Sequence, residues 1–224
     1  MARMEGTASS MSENALKSID RLIARVDEDR WLSSRYAAPA QRAQLIALYG
    51  FNYELARVRL AVSEPTLGAI RFQWWREALE ALSAQQSARR HTVTEALAAT
   101  RVPDLVGPGT LLTLLDRHQD AFEAGDRTLE PEQALTAAAC RIVAGRKGDA
   151  WSDVAGLAKT IEAYARARRG AQGDAPAGAV LKIRPALRPA LAHLALRGPY
   201  QAGRSPSPLS KRWRVLLAVL TGRV

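Results

Sequence analysis

Leu45-Ile46-Ala47-Leu48-Tyr49-Gly50-Phe51-Asn52-Tyr53-Glu54-Leu55-Ala56-Arg57-Val58, followed after a short break by Arg71-Phe72-Gln73-Trp74-Trp75-Arg76-Glu77-Ala78-Leu79-Glu80, decides the fold class of this chain. In the first run Leu45, Leu48, Tyr49, Asn52, Leu55, Ala56 and Arg59 recur at three- and four-residue steps and line one side of a helix. Pro39 suits the first turn of that helix, which is predicted to run to about Ala61. Ser63-Glu64-Pro65 restarts the chain, with Ser63 as N-cap and Pro65 in the first turn of a helix over about Glu64 to Ala84. Ile70, Trp74, Ala78 and Leu82 form its predicted apolar face.

The same period continues on both sides. Leu16, Ile19, Leu22, Ile23 and Val26 give an amphipathic first helix, closed by Asp27-Glu28-Asp29-Arg30-Trp31. Helices are predicted over Val93 to Thr100, Thr110 to Ala124, Pro131 to Ala144 and Ser152 to Arg169. Gly170 to Gly178 reads as a flexible loop, and Arg184 to Leu196 and Leu209 to Leu220 as two last helices. Alternating runs of strand length are absent, so the expectation is an all-α protein. Residues 1–14 read as a disordered extension, 15–224 as one helical domain, and 146–224 as its basic, looser part.

A chain of 224 residues with 47% apolar residues can bury one sizeable core. Its one cysteine, Cys140, excludes an internal disulfide framework and reads as a small buried residue of a helix. No apolar run approaches the ~20 residues of a membrane span. Charge is divided unevenly: residues 1–145 carry 17 Lys/Arg and 18 Asp/Glu, whereas residues 146–224 carry 15 and 4. The basic excess therefore lies in the last third, where Arg166, Arg168, Arg169, Lys211, Arg212 and Arg214 are candidates for binding an anionic partner. A solvated arginine-rich surface is the plainer alternative. His91, His118 and His193 lack ligand spacing for zinc, and no P-loop, nucleophile elbow or dinucleotide glycine pattern occurs.

Asp29-Arg30-Trp31-Leu32, Phe51-Asn52-Tyr53-Glu54-Leu55-Ala56, Val62-Ser63-Glu64-Pro65, Gly68 and Arg71-Phe72-Gln73-Trp74-Trp75-Arg76 resemble the squalene/phytoene synthase family. The resemblance is close over about residues 27–82, extends to about 145, and is strongest to the branch that includes a mitochondrial complex I assembly factor. It implies an all-α bundle of the isoprenoid synthase type, here shortened and irregular towards the C-terminus. Enzymes of the family condense two prenyl diphosphates head-to-head, with Mg²⁺ held by two Asp-rich motifs. The metal bridges the oxygens of the diphosphate leaving group and lowers the cost of ionisation.

Both motifs are altered. Alignment on Phe51 puts the first Asp pair near Ala56 and Arg57, neither of which can ligate Mg²⁺, and leaves only Glu54 nearby. The second motif falls on the helix around Gly156 to Arg169, where Glu162 is the lone acid. An Asp-x-x-x-Asp does occur at Asp116 and Asp120, on a different helix; these are weak metal candidates whose plainer reading is a solvated pair. The resemblance makes Tyr49, Asn52, Tyr53, Glu54, Arg57, Gln73, Trp74 and Arg76 the cavity candidates. Trp74 packed in the core and Arg76 paired with Glu80 is the simpler reading of the last two; stacking on a ligand is the other.

Three functional expectations follow. The first is a non-catalytic assembly or scaffold factor for a membrane respiratory complex, needing no cofactor and meeting a membrane surface or a complex subunit. The second is a Mg²⁺-dependent prenyltransferase acting on prenyl diphosphates or another lipid. The third is a basic nucleic-acid-binding protein, which no reading motif accompanies. The expected location is cytoplasmic, peripheral on the inner membrane.

Overall fold

The computed structural model describes residues 2–126, 131–145, 150–170 and 181–224. Among them the chain is helical throughout, with no strand and a single antiparallel bridge between Lys182 and Arg223. The all-α expectation is met.

Helix α1 (Ala2–Val26) buries Ala15 and, of the predicted apolar face, Ile19 and Ile23, while Leu16, Leu22 and Val26 are half-buried. It begins at Ala2, so residues 2–14 are helical where the sequence suggested a disordered extension. Nothing in Met11-Ser12-Glu13-Asn14 breaks a helix, and the Glu13–Lys17 ion pair (2.6 Å) spans one turn there. The chain bends at Asp27 into the short α2 (Glu28–Ser34). Helix α3 (Pro39–Ala61) begins at Pro39 as predicted and passes through the middle of the core, burying Leu45, Leu48, Tyr49, Phe51 and Leu55.

Helix α4 (Pro65–Ser83) corrects two expectations. Its N-cap is Glu64, without a side-chain cap bond, and Ser63 lies one residue too early to serve. The buried face is Gly68, Phe72, Trp75, Ala78, Leu79 and Leu82, so Ala78 and Leu82 are inside as predicted, while Trp74 is half-buried and Ile70 is 60% exposed. Both registers fit a helical period, and what selects one is the surface α4 packs on. Phe51 of α3 meets the Trp75 ring edge-on at 5.4 Å, and Phe122 meets Phe72 at 5.7 Å.

Helices α5 (Thr92–Thr100), α6 (Val102–Val106), α7 (Pro108–Glu123) and α8 (Glu132–Ala144) complete the wall around α3, with Leu97, Leu111, Leu114 and Cys140 fully buried. Helix α9 (Ala150–Arg168) packs on α8. The last segment is irregular, as expected: a 3-10 turn at Pro185–Leu187, α10 (Arg188–Leu191), a second 3-10 turn at Ala192–Leu196, α11 (Arg197–Gln201) and α12 (Pro208–Thr221). It is not loose, since Leu187, Leu191, His193, Leu194 and Leu196 are buried against α2, α8, α9 and α12. Beyond Gly170, the loop predicted up to Gly178 lies outside the described residues.

Gly68 of α4 packs directly against the Phe122 ring of α7. A Cβ placed there would lie 2.1 Å from Phe122 Cζ, so the ring would have to move. Gly68→Ala is expected to lower stability by about 1–3 kcal/mol through overpacking. The loss, read as a urea midpoint, should largely vanish in a Phe122→Ala background; an equal loss in both backgrounds would show that Phe122 is not the obstacle.

Candidate functional site

The positions that correspond to the first metal helix lie on the outer part of α3. Ala56 offers no ligand atom, and exposed Arg57 donates to Glu54 at 3.1 Å while lying over the Tyr53 ring at 5.9 Å. The acid of this turn, Glu54, is thus paired with the arginine beside it. On α9, Glu162 is exposed and accepts a hydrogen bond from Gln133. Among the described residues no three His, Cys, Asp or Glu side chains converge as a metal site. Asp116 accepts from Arg76 at 2.6 Å, and Asp120 is exposed. These residues do not fit a Mg²⁺ cluster: a dication needs several converging oxygens, and here Glu54, Glu162 and Asp116 are each engaged by a cation or an amide while Asp120 points to solvent.

The eight cavity candidates do not share one cavity. Tyr49 is buried in the core, and burial pushes its hydroxyl pKa up. Asn52 reaches across to α7, where its Oδ1 lies 3.0 Å from His118 Nε2. Tyr53, Glu54 and Arg57 form the outer cluster just described. Gln73 is exposed and donates to Glu77 at 3.1 Å. Trp74 is only half-buried, edge-on to Trp75 (4.9 Å) and capped by Arg89 (5.7 Å). Arg76 bonds Asp116 and Gln119 of α7 instead of Glu80, because α4 packs against α7 and Glu80 faces solvent. A cleft of about 680 Å³ lies at the far end of α3, α4 and α7, lined by Arg59, Ser63, Thr66, Phe122, Glu123 and Asp126 among others; none of the eight borders it.

The structure instead gathers a buried ion network that sequence reading missed. Arg30 is ion-paired to both Asp27 and Glu132, and Arg30 and Glu132 are only 3% and 2% exposed. Arg168 of α9 reaches Asp27 at 2.9 Å and Asp29 at 3.8 Å. Lys211 of α12 reaches Glu28 and Asp29, each at 3.0 Å. Tyr164 and Tyr200 donate to Asp29 Oδ2 at 2.9 and 2.8 Å. Burial alone would raise the Asp27 carboxyl, but the Arg30 and Arg168 guanidiniums hold it down at about 2. Burial would likewise lower Lys211, and its bonds to Asp29 and Glu28 raise it instead. Desolvation, then the charge of Asp29, pushes Tyr200 up to about 12. Asp27, Glu28 and Asp29 thereby tie α9, α11 and α12 to one short helix, and Arg30 ties α8 to it.

One sequence signal pointed there. Val154, Leu157, Ile161 and Tyr164 form the apolar stripe of α9, and Arg168 continues the same stripe. A cation in line with core residues calls for a buried acid. Of the six residues proposed for an anionic partner, Arg168 and Lys211 belong to this network. Arg169 is half-buried and donates to the Ala165 carbonyl at 3.1 Å, while Arg166, Arg212 and Arg214 are exposed. The arrangement holds helices together, and it presents neither a nucleophile nor a metal-binding set.

The all-α bundle defines a class, that of isoprenoid-synthase-type folds, and among the described residues no metal-binding group of acids accompanies it. The squalene/phytoene synthase family model matches residues 23–170, and the chain belongs to that family. It is similar to NADH dehydrogenase (ubiquinone) complex I, assembly factor 6, of Homo sapiens (30% identity over 86 residues, 33% of this chain and 26% of that protein). The protein of the same name from Rattus norvegicus is 34% identical over 87 residues, again 33% and 26% of the two chains. That from Mus musculus is 27% identical over 110 residues, 49% of this chain and 33% of the relative. The chain thus matches about a quarter to a third of the length of these relatives. No solved structure matches it significantly.

Proposed function

We propose that this chain is a non-catalytic squalene/phytoene synthase-like protein that acts as an assembly or scaffold factor for a membrane respiratory complex. The observation that carries the reading is the turn Glu54–Arg57, where the family's first metal-binding pair is replaced by Ala56 and by an arginine that closes on the remaining acid. Relatives named as complex I assembly factors support the same reading. Such a role needs surfaces, not turnover, and the buried network supplies a rigid body on which to present them. No cofactor enters this reading. Its site of action is the cytoplasmic side of the inner membrane, reached peripherally; no described helix is long and apolar enough to cross a bilayer.

Two measurements test it. Incubation with farnesyl or geranylgeranyl diphosphate and Mg²⁺ is expected to release no pyrophosphate above background; turnover would return the prenyltransferase reading. Deletion of the gene is expected to lower assembled NADH:quinone oxidoreductase in membranes while leaving isoprenoid content unchanged. The reverse pattern would overturn the proposal.

A further inference from the structure

We propose that the outward face of α12 is a docking surface for an anionic lipid bilayer. Leu209, Trp213, Leu217 and Leu220 are 76%, 61%, 39% and 64% exposed, and their spacing places them on one side of the helix. They make up half of the large exposed apolar side chains among the described residues, gathered on one helix of 14 residues. A stripe of this size is a contact surface in search of an apolar phase.

The helix is fixed in place with that stripe outward. Val215 and Ala218 are buried on the opposite side. Lys211 is tied to Glu28 and Asp29, and Arg188 donates to the Val219 and Leu220 carbonyls at 2.8 and 3.1 Å. At the C-terminus Gly222, at φ 72°, turns the chain so that Ile183 N–H donates to its carbonyl at 2.7 Å, and Leu181 and Val224 exchange two further bonds. A side chain at Gly222 would meet the Ile183 carbonyl at 2.8 Å. The stripe is therefore held by the fold and is not a frayed end.

The charge around the stripe selects the occupant. Arg212 and Arg214 are exposed on the same helix, and Arg204 and Arg223 are exposed just beyond its two ends. Residues 175–224 contain nine Lys/Arg and no Asp or Glu. A second copy of this surface would bring like charges together, and a nucleic acid would leave three leucines uncovered. An anionic bilayer satisfies both parts: leucines and Trp213 enter the headgroup and acyl boundary, while the guanidiniums stay among phosphates. At 14 residues the helix lies on the surface and does not span it. The inference concerns where the chain sits and does not depend on the assembly reading, since vesicle binding is measured without any respiratory complex.

The test is co-sedimentation of the full chain with phosphatidylglycerol-containing and pure phosphatidylcholine vesicles across a salt series. Binding is expected only to the anionic vesicles, weakening as salt rises. Leu209→Ser with Trp213→Ser, and separately Arg212→Glu with Arg214→Glu, should each weaken it by about ten-fold or more, with unchanged far-ultraviolet circular dichroism. Leu220→Ser alone, at the other end of the stripe, should weaken it less, and Ile70→Ser on α4 not at all. No binding by the wild type, or equal binding by all variants, overturns the proposal. So does a lipid-free dimer that the serine pair dissociates, or a DNA mobility shift lost in the glutamate pair while vesicle binding persists.

Discussion

Glu132→Ala should be the most damaging single substitution in the chain, lowering folding stability by about 3–5 kcal/mol, because it leaves a buried guanidinium without its main counter-charge. Arg30 and Glu132 join α2 to α8 across 102 residues of sequence, at an almost water-free contact. Losing one partner forfeits the pair and leaves the desolvation cost of the other in place. The double substitution Arg30→Met with Glu132→Leu removes both charges and keeps Asp27 paired with Arg168, so it should recover most of the loss. Urea midpoints of the two single variants and the double decide the matter. A loss below about 1 kcal/mol for Glu132→Ala would mean that the pair is screened like a surface one.

Acid should unfold this protein from an unusually high starting pH, because two of its histidines are buried neutral. Burial, reinforced by Arg59, lowers His118 to about 3; burial, reinforced by Arg30, lowers His193 to about 3. His193 packs edge-on to Tyr164 at 5.0 Å, and neither of its ring nitrogens has a hydrogen-bond partner among the described residues. A depressed histidine pKa means that the unfolded chain takes up the proton first. The stability is fully present above about pH 6.5 and drains away as pH falls towards 3, at about 1.4 kcal/mol per pH unit for each histidine. Asp27, held at about 2, begins to contribute only below the ordinary aspartate range, so the loss between pH 6.5 and 4 is dominated by the histidines. Urea midpoints measured at successive pH values should fall with a slope of nearly two protons. His193→Leu should roughly halve that slope, and a wild-type midpoint that is flat from pH 7 to 5 would contradict the assignment.

Much of the architecture was legible in the residues. Pro39 marked the start of α3, Gly145 the end of α8, and the 3.6-residue period of Leu16 to Val26 the buried side of α1. These are local matters: a fixed φ, a left-handed cap, an apolar stripe. That Ala56 and Arg57 carry no carboxylate was equally plain, since residue type needs no third dimension to be read. Local signals failed where two registers were equally good. Trp74 and Trp75 are neighbours in sequence, and what decides that Trp75 is the buried one lies outside the helix, Phe51 being one of the rings packed on it. Arg76 had an acid one turn away in Glu80 and found a better one in Asp116, 40 residues on.

By itself, then, the sequence determined the helical class, the family and the absence of carboxylates at Ala56 and Arg57, because each depends on residue type and short-range spacing. The tertiary structure alone decided that Asp27, Glu28 and Asp29 bind the C-terminal helices, that Lys211 turns inward to them, and that Leu209, Trp213, Leu217 and Leu220 face outward. Lys211, unlike Arg168 on its apolar stripe, carries no sign in sequence of whether water or a distant carboxylate will neutralise it. An apolar stripe likewise gives no sign of which side of the helix the rest of the fold will cover. Both are settled by which surfaces meet when the helices pack.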